Sequence, residues 1–297
     1  MKKIQMFGIA VVMIFASGLF IFAISGTTRE KELGEKTSQY FPSTVDFAGE
    51  RAPLQIADVK ERFDRELLIN ANLHSSTILI IKRANRAFPI IEPILKQYGV
   101  PDDFKYLAVI ESSLTNAVSS AGARGVWQFM PDTAKEKGME VTEGIDERYH
   151  LQKSTEAACK YLLKAKEKFG NWTLAAASYN GGMSGINNKI VEQKVSDYYD
   201  LLLTDETSRY VFRILALKEI MKNPTLYGFE VAKHELYDNI PTKTIEVDSS
   251  ITDLATFAKS QGINYKILKI HNPWLRDKKL SNPAKKKYII EIPTQGY

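Results

Sequence analysis

The chain has little of what builds metal and disulfide sites. Cys159 is its one cysteine, and there are 4 histidines in 297 residues. No internal disulfide can form, and no Cys/His spacing of the zinc type is present. No metal and no cofactor is therefore expected. Arginines interleaved with aromatics are missing, as are helices with a basic stripe, so nucleic acid is not an expected partner. Charge of one sign is scarce too: 40 Lys+Arg stand against 35 Asp+Glu, a formal +5, which reads as a solvated surface. Alternating apolar and polar residues are rare before Pro241, so the central region is expected to be mainly α-helical.

What is present begins at the N-terminus. Lys2 and Lys3 precede an apolar run from Ile4 to Ile24, interrupted only by Gln5, Ser17 and two glycines. Such a run spans a bilayer, which takes about 20 residues. Signal peptides have shorter apolar cores, and only Ala23-Ile24-Ser25 resembles a cleavage site. Residues 1–25 thus read as an uncleaved anchor ahead of a signal peptide, and the lysines put the rest of the chain outside the cytoplasm. Residues 26–53 are polar and read as a linker. From Leu54 the pattern is helical, with a stripe of Ile78, Leu79, Ile81, Ala84, Ala87 and Phe88 that Pro89 and Pro93 are expected to break. Val100-Pro101-Asp102-Asp103 is a helix start. Further helices are expected over 131–137, 154–169, 172–179, 185–194 and 206–222. Residues 242–297 read as strand, helix, helix, strand, a separate small module.

In the segment FKYLAVIESSL, Phe104, Leu107, Glu111 and Leu114 recur at steps of three and four and share a helical face. Burial on that face raises the pKa of Glu111, as a group that protonates a departing sugar oxygen requires. A helix-end glutamate paired with Lys or Arg is the other reading. The stretch Ser119 to Ala134 follows, with bends allowed at Gly122 and Gly125 and Trp127, Gln128 and Phe129 after them. It suits a sugar site, although a loop packing its aromatics into the core has the same composition. In AAASYNGGMSGI, Tyr179 and Asn180 end an alanine-rich helix. The Tyr179 hydroxyl either meets a reacting group or bonds a backbone carbonyl.

In order and spacing these segments resemble the lytic transglycosylase family of the lysozyme-like superfamily, in particular its membrane-bound type D branch. The matching blocks are E-S-x-x at Glu111, S-x-A-G-A-x-G-x-W-Q-F-M-P-x-T-A from Ser119, A-x-Y-N-x-G around Tyr179, and E-T-x-x-Y-V from Glu206, within residues 89–221. The resemblance implies a mainly α, lysozyme-like (SLT) catalytic domain over 54–228. It implies that Glu111 is catalytic with Tyr179 assisting, and that Ser119, Gln128, Met130, Asn180, Glu206 and Tyr210 bind substrate. The substrate would be peptidoglycan glycan strands, cut to leave a 1,6-anhydromuramic acid end. The location would be the periplasmic side of the inner membrane, held by the N-terminal segment in the cytoplasmic membrane.

Two departures stand out: the stretch from Leu114 to Val118 is one residue short, leaving Ser119 or Ser120 at the family serine, and Gly181 replaces the usual alanine. Hydrolysis by water would need a second carboxylate, for which Asp132, Asp146 and Glu206 are available. A non-catalytic wall-binding scaffold is a third possibility. The C-terminal module, with Leu254, Phe257 and Ala258 on one helix and Ile267, Leu268, Ile270, Asn272, Pro273 and Trp274 on and after the next, resembles a divergent α+β LysM domain. Asp248-Ser249-Ser250 stands where Gly-Asp-Thr is usual. The resemblance implies binding of N-acetylglucosamine polymers, and a plain packing module is the alternative.

Overall fold

A computed structural model describes residues 40–296. The anchor of residues 1–25 and the first part of the linker lie outside the described residues. A hairpin of β1 (Asp46–Phe47) and β2 (Glu50–Arg51) opens the fold. Helices α1 (Ala57–Asn72), α2 (His74–Tyr98), α3 (Lys105–Ser112), α4 (Pro131–Glu136), α5 (Leu151–Phe169), α6 (Trp172–Gly181), α7 (Met183–Gln193) and α8 (Asp205–Lys222) follow. Among the described residues no helix is long and apolar enough to cross a membrane.

Helix α8 is the axis of the domain. Val211, Phe212, Ile214, Leu215, Ala216, Leu217 and Ile220 are all buried, so it is apolar almost all round, the pattern of a helix enclosed by others. It packs against α1, α3 and α6. Thr204 caps it, accepting from the Thr207 amide, with Asp205 and Glu206 in the first turn, where carboxylates suit the helix dipole.

Two expectations fail around it. Pro89 and Pro93 do not end α2, which runs through both to Gly99, a left-handed cap with φ of 70°. Both prolines, four residues apart, lie on the exposed side. The carbonyls deprived of a helical donor are therefore near water, and the buried row Thr77, Ile80, Ala84, Ala87, Ile91, Leu95 stays intact. That row, and not one through Leu79 (36% exposed), is the inward stripe. The linker reading also fails over residues 45–52. Phe47 is fully buried against Phe104, with ring centroids 4.9 Å apart. Lys218 Nζ donates to the Asp46 carbonyl (2.7 Å) and to Asp103 Oδ2 (2.6 Å). Glu50 accepts from the amides of Trp172 (2.6 Å) and Thr173 (2.8 Å), so a residue of this hairpin satisfies the first amides of α6.

The C-terminal module has the expected order: β3 (Thr242–Val247), α9 (Leu254–Ser260), α10 (Tyr265–His271) and β4 (Tyr288–Pro293), with β3 and β4 antiparallel. Asn272 joins helix to sheet, donating to the Glu291 carbonyl (2.7 Å) and accepting from its amide (2.8 Å). The module is not detached, because its core includes Ile145 and Tyr149 of the larger domain. The Asp146 amide donates to the Trp274 carbonyl (2.9 Å), and the Arg276 amide to the Gly144 carbonyl (2.8 Å). Trp274, only 4% exposed and stacked on Tyr288, belongs to this joint.

Glu50→Ala is expected to cost about 1 kcal/mol, as loss of a helix cap does, lowering Tm by about 2–4 °C for a chain of this size. Calorimetry at pH 7 checks it. An unchanged Tm would mean that the hairpin does not brace α6.

Candidate active site

Helix α3 ends just after Glu111. Ser113 and Leu114 both take left-handed backbone, with φ of 53° and 58°, so Leu114 is buried beyond the turn and is not on the helical face that the periodicity predicts. The Ser112 hydroxyl donates to the Val126 carbonyl at 2.8 Å, tying the helix end to the loop that follows. Glu111 is thus fixed in the last turn, with α8 alongside. From α8 the Tyr210 hydroxyl donates to Glu111 Oε1. Arg213, three residues on, donates to the Ile110 carbonyl (3.0 Å). Among the described residues no Lys or Arg nitrogen lies within 4.0 Å of the Glu111 carboxyl, so the ion-paired reading is not the arrangement found.

Burial pushes the Glu111 carboxyl up from 4.5 to about 7, with the nearby Glu206 charge adding to it. The Tyr210 hydrogen bond and the Arg213 charge pull the other way and are outweighed. The sequence grouped Tyr210 with the substrate-binding residues. Its ring is 1% exposed and its hydroxyl donates to Glu111, so in this structure it holds the carboxyl in place.

The loop from Thr115 to Met130 is held from inside and from behind. A Cβ on Gly125 would stand 1.9 Å from the Arg148 carbonyl oxygen, so only glycine fits there. Gln128, with φ of 49°, donates from Nε2 to the carbonyls of Gly125 (2.7 Å) and Ala117 (3.1 Å). Its amide is a staple of the loop, a structural duty that the sequence did not reveal. Trp127 is fully buried and donates to Thr155 Oγ1 at 2.8 Å, which resolves it as core. Ser119 Oγ accepts from the Ala123 amide (3.0 Å) within the loop's own hairpin, while Ser120 is exposed.

Behind the loop, Arg148 makes a two-pronged pair with Asp146 (2.8 and 2.7 Å). It also donates to the carbonyls of Gly122 (3.1 Å) and Phe129 (3.2 Å). Asp146 is consumed in that clamp and is removed as a second reacting carboxylate. No sequence signal marked this pair, because a charged triplet between helices is ordinarily a surface turn.

Gln128, Met130, Tyr179 and Asn180 come together on one cleft of about 470 Å³, joined by Phe129, Tyr161 and Met183. Glu111 stands next to this wall rather than in it. After burial, its charge is the next cause that holds the Tyr179 phenol well above its ordinary value. The Tyr179 hydroxyl donates to the Trp127 carbonyl at 2.8 Å, the arrangement of the second of the two readings drawn from the sequence. Its ring meets Tyr161 and Phe129 edge to face. Asn180 accepts from Thr207 Oγ1 (2.7 Å) and donates to Glu206 Oε1 (3.0 Å), which ties α6 to α8. Glu206 is exposed, as are Asp132 and Met130. Gly181 sits in a tight place: a Cβ there would lie 3.1 Å from Thr207 Cγ2 and 3.2 Å from Ile186 Cδ1, so these side chains would have to shift by a few tenths of an ångström to admit alanine. Among the described residues no group of His, Cys, Asp and Glu is placed to hold a metal ion.

Comparison with known proteins agrees with this architecture. Residues 88–202 match the transglycosylase SLT domain, and residues 243–296 match the C-terminal LysM-like domain of soluble lytic transglycosylases. Membrane-bound lytic murein transglycosylase D of Escherichia coli, from strain K12 and from an O6:H1 strain, is 28% identical over 235 residues, or 76% of this chain. The chain spans about half the length of these curated relatives (50%). The chain thus carries a transglycosylase SLT domain, which holds Glu111, with a LysM-like domain packed against it, and it is similar to lytic transglycosylases.

Proposed function

We propose that this protein cleaves the β-1,4 bond between N-acetylmuramic acid and N-acetylglucosamine in peptidoglycan, with Glu111 as acid and then base. The carrying observation is the Glu111 carboxyl itself, raised to about 7 and bonded to Tyr210, with no cationic partner in contact among the described residues. Near neutral pH such a group keeps a proton to give and, once ionised, takes one back. Glu111 donates its proton to the glycosidic oxygen as the bond to muramic C1 breaks, and the N-acetylglucosamine leaves with a free 4-hydroxyl. The C6 hydroxyl of the same muramic acid attacks C1, and the Glu111 carboxylate accepts its proton. The bond formed closes a 1,6-anhydro ring. The enzyme returns to its starting state and no water is consumed. The attack is internal, so its effective concentration replaces an activated water.

The Tyr210 donor steadies the ionised stage, and the stapled loop with Gln128 and Phe129 shapes the wall against which the sugar lies. Tyr179 contributes its ring and an acceptor lone pair to that wall. Ser119, Met130 and Asn180 are proposed as further contacts to the glycan. The LysM-like domain and the membrane-bound name of the relatives support a place in the cell envelope, on the periplasmic side, with residues 1–25 as the tether.

One observation favours a second reading. Glu206 is close enough for its charge to raise the Glu111 pKa, so a hydrolase using Glu206 to activate water is the rival. Mass spectrometry of muropeptides released from sacculi separates them: anhydro ends support transfer, and reducing ends, heavier by one water, support hydrolysis.

Glu111→Gln is expected to lower turnover of sacculi by about 10²–10⁴-fold, the usual share of a general acid or base; the same trace of muropeptides from wild type and variant would leave only a binding scaffold. For the wild type, kcat/KM should fall as pH rises through about 7, because the protonated form starts the reaction. The same raised pKa makes the folded state bind this proton more tightly than the unfolded chain. The stability it gives is present below about 4.5 and lost as pH rises through about 7. Glutamine does not titrate, so the Tm of Glu111→Gln should climb relative to wild type between pH 4 and pH 8. A constant difference across that range would contradict the assignment.

A further inference from the structure

A second cleft, larger than the first, lies where the SLT domain meets the LysM-like module. It encloses about 620 Å³. Arg83 and Arg86 of α2 line it, with Asn116 from the loop just past the Glu111 helix, Asp238 from the connecting strap, and His271 and Glu291 from the module. Its position is fixed by contacts on both sides. The strap is laid along α2, with the Tyr237 amide donating to the Lys82 carbonyl (3.1 Å), Asn85 to Asp238 Oδ1 (2.8 Å) and Asn239 to the Arg86 carbonyl (2.9 Å). The module is fastened to residues 144–146 by the hydrogen bonds described above.

The charges in this cleft are unusual. Arg83 and Arg86 sit one helical turn apart, and among the described residues neither has a carboxylate oxygen within 4.0 Å. Arg83 donates one Nη to the Ser113 carbonyl (3.3 Å). Arg86 lies over the Tyr237 ring, 5.8 Å from its centroid. Most of their guanidinium donors are uncommitted. Two neighbouring guanidinium groups that line an open cleft, with no carboxylate in contact among the described residues, are a recognition surface for carboxylates. The cleft also holds two acids without a cationic partner in contact. Asp238 accepts from Asn85, and Glu291 accepts from Gln152 at 3.5 Å. The two histidines that line it, His150 and His271, both have their pKa lowered, chiefly by burial. A glycan stripped of its stems offers only the lactyl carboxylates of muramic acid, and no ammonium for Asp238 and Glu291.

We propose that this cleft binds a short peptide bearing both carboxylates and a free ammonium, the chemistry of the stem that hangs from muramic acid. Arg83 and Arg86 take the carboxylates, while Asp238 and Glu291 take the ammonium. This rests on the glycan-cleaving reading of the site, which it deepens by naming what lies beside the sugar: Leu114, Thr115 and Asn116, which line the cleft, directly follow the helix that holds Glu111. A strand seated at Glu111 would then have one of its stems read by the joint between the domains.

The test is titration calorimetry of the full chain with a free stem tetrapeptide containing a diamino acid. Binding is expected to weaken about tenfold in Arg86→Gln, the loss of about one charge-assisted hydrogen bond. It should weaken similarly when the peptide's carboxylates are amidated or its side-chain amine acetylated, changes that leave the protein untouched. Absence of binding to wild type, or equal affinity for all three peptides, would overturn the proposal, as would unchanged binding in an Arg86→Gln protein that melts like wild type. The readout is binding and not turnover, so it stands apart from the reaction. Sacculi left undigested by the wild-type chain would count against the catalytic reading, whereas loss of selectivity among the peptides counts only against this cleft.

Discussion

A carboxyl group that has to hold a proton near neutral pH must be kept from water without being handed to a cation. Glu111 meets that constraint through its place at the end of α3, against α8, with a phenol and, among the described residues, no ammonium or guanidinium in contact. Burial outweighs the hydrogen bond from Tyr210 and the charge of Arg213. Tyr210 gives direction without neutralising, since a neutral donor favours the ionised form far less than an ion pair does. The reaction, the pH behaviour and the stability cost at alkaline pH all descend from this balance.

The rest of the SLT domain can be understood as what holds that balance in position. Helix α8 is buried on nearly all sides, so Tyr210 has little freedom to leave Glu111. The loop after α3 is bonded to itself through Gln128 and to the helix end through Ser112, and Arg148 clamps it from behind with Asp146 as counter-ion. Breaking such a buried pair by removing one partner leaves an uncompensated charge, so the clamp is intolerant of single changes. The hairpin before α1 reaches across to cap α6, and the LysM-like module closes on residues 144–146 near the same clamp.

The sequence disclosed the parts of this that have a period or a motif. Glu111 was legible from its spacing and from the blocks that follow it, and the strand-helix-helix-strand order of the module was legible from its change of texture. The proline-containing helix was not, because proline's penalty depends on whether the freed carbonyl faces water, and that is known only after the helix is placed. The hairpin at 46–51 was hidden because its apolar content is a single phenylalanine, and its worth lies in Glu50 and Asp46 meeting partners over 100 residues away. The hydrogen bonds of Gln128 and Tyr210 were not legible either, since a motif marks which residues matter without saying which atom they bond. Arg148 carried no signal at all.

The most direct measurement of the account is the titration of the Glu111 side-chain carboxyl itself, followed by carbon-13 NMR in the wild-type chain and in Tyr210→Phe. The account predicts a midpoint of about 7 in the wild type and a higher one in the variant, because the phenol donor favours the ionised form. A wild-type midpoint near the ordinary 4.5, or a variant midpoint that falls, would contradict it.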